Sequence, residues 1–305
     1  MPGFVCHLLH TPARIGAVAG VTLTQLMRMR LFVALAIFAL GFLGLQFLPY
    51  REHLGVEFQG IEQLQLIKDI AIGCMRLFSM LFCVAATALL IPRDTEDRIL
   101  YTILCKPVPR FDYLAGKALG VLALLGVMLL VMDALMVWLL QAKAGAIAAE
   151  VQEVLSARGM QPEDITPYLQ QVAQAGNTAD TQFSLLAMFL GFGVLTSFTL
   201  LLSCVTSGTI VSMIIALGCY FVGMFQGQLF HTISTGTGGT PAPLLWAERV
   251  FSILGPDFSL FSITDAASAG APLSISLLGG LALIALAYVL LHLFIAAWVF
   301  SLKEF

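Results

Sequence analysis

Residues 91–117, IPRDTEDRILYTILCKPVPRFDYLAGK, gather five basic and four acidic side chains in a chain of which 11% is charged. Asp94, Glu96, Asp97 and Arg98 follow Pro92, which is expected to end the apolar run before it. Tyr101, Leu104 and Cys105 then stand at helical spacing. Lys106 and Arg110 bracket Pro107 and Pro109, and the fixed φ of proline holds two cations at a rigid corner. Charges and apolar residues in this order suit docking of a soluble partner and receipt of force from it. The plainer alternative is a cationic loop that keeps its side of a membrane.

Other residues with chemical potential are sparser. Arg76 and Asp133 lie in apolar runs, about 9 Å and about 10 Å from the ends of those runs at the helical rise of about 1.5 Å per residue. Equal depth on consecutive antiparallel helices suggests an ion pair, and the alternative for Arg76 is snorkelling to the interface. His7 and His10 stand three apart with no evident third ligand, so no metal is expected. His292 sits in an apolar run and reads as a hydrogen bonder between helices. The chain has no GxxxxGK[ST] phosphate cradle and no HExxH, so no catalytic residues are assigned and no ATP is bound by this chain. The six cysteines, Cys6, Cys74, Cys83, Cys105, Cys204 and Cys219, form no CxxC and read as small buried hydrophobes. No basic patch interleaved with aromatics points to nucleic acid.

The elements that position these residues follow from composition. The 305 residues are 59% hydrophobic, against about 45–50% apolar in soluble domains. The excess lies in six runs of the roughly 20 residues that a helical crossing needs: 31–49, 70–91, 115–140, 183–206, 209–230 and 277–300. Lipid leaves no solvent for backbone groups, so the spans are helical, and the expected fold is an all-α polytopic membrane protein. Residues 1–305 form one domain without an internal repeat. The first residues lack a basic stretch before an apolar core, so the first span is expected to be retained. Lys and Arg cluster before the first span and in 91–117, while 50–69 and 141–182 are acidic, which puts both termini and 91–117 on the cytoplasmic side.

Residues 13–30 read as a helix lying in that interface, the alternative being an extension of the first span. Residues 145–177 read as a short helical hairpin, with Thr166 as N-cap, Pro167 at the first helical position and Gly176 as a stop. Residues 231–276, broken at Gly255–Pro256, read as a segment that dips into the outer leaflet under protein cover.

The 91–117 stretch also resembles the first cytoplasmic loop of type 2 ATP-binding-cassette (ABC) exporter permeases, in the branch associated with multicopper-enzyme maturation. Thr102, Leu104, Lys106, Pro107, Val108 and Arg110 match its central segment, and Gly116, Lys117 and Gly120 match its return to the membrane. Lys68–Asp69, the segment Leu254, Pro256, Asp257, Phe258 and Phe261, and the ending FSLKEF are similar to other parts of that family. Arg93 and Asp94 stand where many relatives carry an acidic pair, which leaves open which acid seats the partner.

The resemblance implies a permease pair, homodimeric or of two related chains, in a bacterial inner membrane, joined to two cytoplasmic ATPase subunits that supply ATP and Mg. It places a coupling helix near 95–106 in a groove of the ATPase. Asp94, Glu96, Asp97, Thr102, Leu104, Lys106, Pro107 and Arg110 would form that contact. A membrane scaffold or anchor for a maturation or surface assembly, with no transport of its own, is the alternative.

Overall fold

The computed structural model describes residues 2–45, 61–96, 109–157, 166, 169–170, 172, 179–206, 208–234, 255–263 and 274–302. Among these, seven long helices and a short 3-10 turn account for the regular structure, and no strand occurs. The helices are α1 (Pro2–Met27), α2 (Arg30–Leu45), α3 (Ile61–Glu96), α4 (Arg110–Ala157), α5 (Ala179–Val205), α6 (Thr209–Ser234) and α7 (Ile275–Leu302). The 3-10 turn, Ser259–Phe261, lies between α6 and α7.

Five helices, α3 to α7, are long and apolar enough to cross a membrane, as a multi-pass membrane protein requires. The first expected span is represented by α2, whose 16 described residues fall short of the about 20 needed for a crossing. Its remaining residues lie outside the described ones. The boundary between α1 and α2 is a tight corner at Arg28 and Met29, where the Met29 N–H reaches back three residues to the Leu26 carbonyl at 3.0 Å. Of the expected 13–30 helix, residues 13–27 belong to a helix separate from α2 that begins at Pro2 and ends at Met27, while Arg30 opens α2.

Two boundaries differ from the sequence expectation. Pro92 does not end its helix, because α3 continues to Glu96. A helical proline deprives the carbonyl four residues earlier of its donor. Here that carbonyl, on Ala88, accepts from the Ser203 hydroxyl of α5 at 3.4 Å. A neighbouring helix supplies the bond that proline removes, and the helix passes through. The third span also runs on. α4 is continuous for 48 residues, because QAKAGAIAAEVQEVLSA is rich in strong helix formers and holds no proline. The first arm of the expected hairpin is thus the end of α4. Ile147 on it belongs to the same buried cluster as Val172.

α5 is the central helix. Of its most apolar window 72% is buried, against 28% for α6 and for α7. Small and hydroxylated residues explain this, since they let backbones approach closely and bridge helices inside lipid. Thr196 Oγ1 meets Cys83 Sγ of α3 at 2.8 Å, and Ser197 Oγ meets His292 Nδ1 of α7 at 3.0 Å. His292 is buried between the rings of Phe198 and Tyr288, in the interhelical role expected of it. The exposed faces of α6 and α7 carry Ile210, Ile214, Phe225, Leu283, Phe294 and Trp298, a surface suited to lipid.

Candidate functional site

The charged stretch of the sequence is anchored at both ends by buried contacts. Asp94 on the last turns of α3 is fully buried. Its Oδ2 lies 2.6 Å from the Nζ of Lys117 on α4 and accepts a short hydrogen bond from the Tyr113 hydroxyl. Its Oδ1 accepts from Gln25 Nε2 of α1 at 3.2 Å. Lys117 Nζ in turn donates to Gln25 Oε1 at 3.2 Å and lies 5.7 Å from the centre of the Tyr113 ring. Two charges removed from water are tolerable only when geometry is good and their remaining hydrogen-bonding capacity is met. The loop between Asp94 and Lys117 is thereby closed at its neck.

The surrounding packing explains why these four side chains converge. A Cβ on Gly116 would lie 2.6 Å from Val18 Cβ, and one on Gly120 would lie 2.7 Å from Thr22 Cβ and 2.9 Å from the Ala19 carbonyl oxygen. The two glycines form a notch in α4 that seats α1 at backbone contact, as small residues four apart do in membrane helices. That approach carries Gln25 to Asp94. Arg14 of α1 faces Asp112 of α4 at 3.9 Å. This is too long for a hydrogen bond, and the facing atoms, Arg14 Nη1 and Asp112 Oδ2, are buried without another hydrogen-bond partner.

Arg110 extends the junction to a fourth helix. Its Nη1 donates to the Phe300 carbonyl at 3.2 Å. Phe300 lies in the last turn of α7, where carbonyls have no intrahelical donor and a cation favours the helix dipole. The Tyr113 and Phe300 rings stack with centroids 6.2 Å apart. A separate buried cluster holds this end together, including Ile91, Leu114, Leu200, Cys204, Leu293 and Ala296. The ends of α1, α3, α4 and α7 therefore meet at one point, the two mouths of the 97–108 segment.

Of the expected coupling residues, Asp94 is turned inward, Glu96 is exposed at the end of α3, and Arg110 is half-buried against α7. Asp97, Thr102, Leu104, Lys106 and Pro107 lie outside the described residues. Gln25 and Tyr113 went unread in the sequence. The acid and the lysine at the two mouths of one loop were the available signal.

The other end of the bundle is organised differently. Arg76 of α3 lines a small cavity with Tyr220, Phe258, Phe261 and Ser262. Pro256, Asp257 and Phe258 open the short segment that ends in the 3-10 turn. Asp257 Oδ1 accepts from the Ser259 N–H at 2.9 Å and its hydroxyl at 2.6 Å, which fixes the turn. Phe258 and Phe261 are buried where glycines leave room. A Cβ on Gly223 would lie 2.7 Å from both the Phe258 ring and the Pro256 carbonyl oxygen, and one on Gly191 would lie 2.9 Å from Phe261 Cβ. The broken segment at 255–263 is thus covered by α5 and α6.

Asp133 accepts from Gln182 Nε2 of α5 at 3.0 Å, and it lines a different cavity from Arg76. The two residues matched by depth in the sequence face different surroundings. Among the described residues no group of histidine, cysteine or carboxylate side chains could hold a metal ion. No protein-family model matches this chain, and no curated protein matches it.

Proposed function

We propose that this chain is the permease subunit of an ABC exporter in a bacterial inner membrane. Separate cytoplasmic ATPase subunits, two per complex, bind ATP and Mg, and a second permease copy completes the path between the two chains. The reading rests on the 91–117 motif and is supported by one observation above all. Asp94 and Lys117 tie the two mouths of the 97–108 segment to each other and to α1 through Gln25, and Arg110 adds α7. Force applied to a segment held in this way moves four helix ends as a unit. A loop with free mouths would absorb the same push by bending. In this proposal Glu96, Asp97, Thr102, Leu104, Lys106 and Pro107 meet the ATPase. Asp94 and Arg110 act behind them, transmitting motion to the helices.

The test is co-purification with a cytoplasmic ABC ATPase of the same cell, followed by vanadate-sensitive hydrolysis in a bilayer. Leu104→Asp, or charge reversal at Lys106, is expected to release the ATPase or abolish its response to the permease, while the chain still inserts. Normal association and normal ATPase response in these variants would overturn the proposal. Association with no ATPase response even in the unaltered chain would favour the scaffold. A cysteine at Thr95 that reacts with an impermeant reagent from outside the cell would place the loop on the wrong side.

A further inference from the structure

Between α4 and α5 lies a groove of about 350 Å³, within the roughly 300–1,000 Å³ of small-molecule sites. Its two ends differ in chemistry. At one end Asp133 and Gln182 meet, and Gln182 stands in the first turns of α5. Towards the other end the lining is Leu129, Leu130, Leu185 and Leu186, closing on Gly126 and Phe189. Gly126 is seven residues before Asp133, and Phe189 seven residues after Gln182, so both helices carry the groove about 10 Å inward. Leu130 and Leu186 are exposed along its lip, on helices long and apolar enough to cross a membrane. An occupant would reach it sideways, from hydrocarbon.

We propose that this groove binds one membrane phospholipid with a primary-amine headgroup. Along α5 the polar end sits in the first turn and the apolar end points to the middle of the helix, which matches a lipid lying head to surface and tail inward. An ionised carboxylate offers only acceptors, about four positions in all, and the Gln182 amide takes one of them. A primary ammonium brings three donors and the opposite charge, and charge-assisted hydrogen bonds are the stronger kind. A trimethylated headgroup has the charge without the donors, and an anionic headgroup is repelled. The proposal needs only that α4 and α5 cross a bilayer, and it does not depend on an ATPase partner.

The full chain, purified in mild detergent, is offered equal amounts of phosphatidylethanolamine, phosphatidylcholine and phosphatidylglycerol with identical acyl chains. Retained lipid is counted by native mass spectrometry. The unaltered chain should retain the ethanolamine lipid about tenfold over the others, the scale of one charged hydrogen bond. Asp133→Asn keeps the side-chain shape and should erase that preference, while Asp133→Glu should keep it. Leu186→Trp leaves the carboxylate in place, fills the apolar part, and should remove the bound lipid. Equal retention of all three lipids by the unaltered chain would overturn the proposal. So would a preference for the glycerol lipid, or an ethanolamine preference that survives both Asp133→Asn and Leu186→Trp. A dimer whose formation depends on Asp133 and excludes lipid would instead assign the groove to a second copy of the chain.

Discussion

At one end of the bundle, opposite charges on α3 and α4 meet inside the protein: Asp94 and Lys117 are 2.6 Å apart and both buried. At the other end the same two helices carry Arg76 and Asp133, and these line separate cavities, with Asp133 engaged by Gln182 of α5. The difference lies in what surrounds each pair. At the Asp94 end, glycines in α4 admit a third helix, and its Gln25 meets the carboxylate and the ammonium together. The Asp133 end is open, and its carboxylate faces a groove lined by leucines. A charge pair is held in an apolar protein when a further element satisfies what the two charges leave over. Without that element Asp133 takes a neutral partner, Gln182, instead.

The sharpest way to break this contrast is to remove one partner from the closed end. Lys117→Met leaves the buried Asp94 carboxyl without its cation, and losing one member of a buried pair costs about 3–5 kcal/mol. The variant is expected to unfold well below the unaltered protein in a thermal or detergent-denaturation series. Adding Asp94→Leu removes the stranded carboxyl and should recover part of the loss. If that double variant regains stability and still fails to stimulate the ATPase proposed as partner, the pair serves transmission as well as folding. Lys117→Met with unchanged stability would show that the pair contributes little.

A smaller effect is expected at the notch that makes the closed end possible. Gly120→Val places methyl groups against Thr22 and the Ala19 carbonyl, where even a bare Cβ is within 3 Å. Overpacking of this kind costs about 1–3 kcal/mol. Because α1 must move away, Gln25 should leave Asp94, and a cysteine placed at Gln25 should become more reactive to thiol reagents in the Gly120→Val background. An unaltered reaction rate would mean that α1 is held by something other than the notch.

Much of this architecture could be read from the sequence, and the misses have physical causes. Long apolar runs mark α3 to α7 because lipid imposes length and polarity on each span separately. Pro92 was misread because the donor that rescues its helix, Ser203, lies 111 residues away on α5. The helix of the third span runs on beyond its apolar run because hydropathy falls after Leu140 while helix propensity does not. The 91–117 stretch stood out by its charge, yet the burial of Asp94 depends on Gly116 and Gly120 admitting α1, a contact that no local pattern reports. For Arg76 and Asp133 the sequence reports depth alone, and the structure adds that they line separate cavities. Depth is one coordinate of a residue on a helix, and the direction its side chain takes around the axis is the other.

That second coordinate gives the smallest and most discriminating measurement. Two double-mutant cycles share Asp133→Ala, one combined with Gln182→Ala and the other with Arg76→Ala. Side-chain hydrogen bonds between membrane helices average about 0.6 kcal/mol by such cycles, because the alternative state also finds partners. The cycle with Gln182 is expected to give an interaction energy of that order, since its amide is 3.0 Å from the carboxylate. The cycle with Arg76 should give less, as Arg76 and Asp133 line separate cavities and independent sites usually add. A larger coupling to Arg76 than to Gln182 would mean that the two charges find each other in another conformation of the chain. The open end would then close as the Asp94 end does, and the groove beside Asp133 would have to be emptied for it to happen.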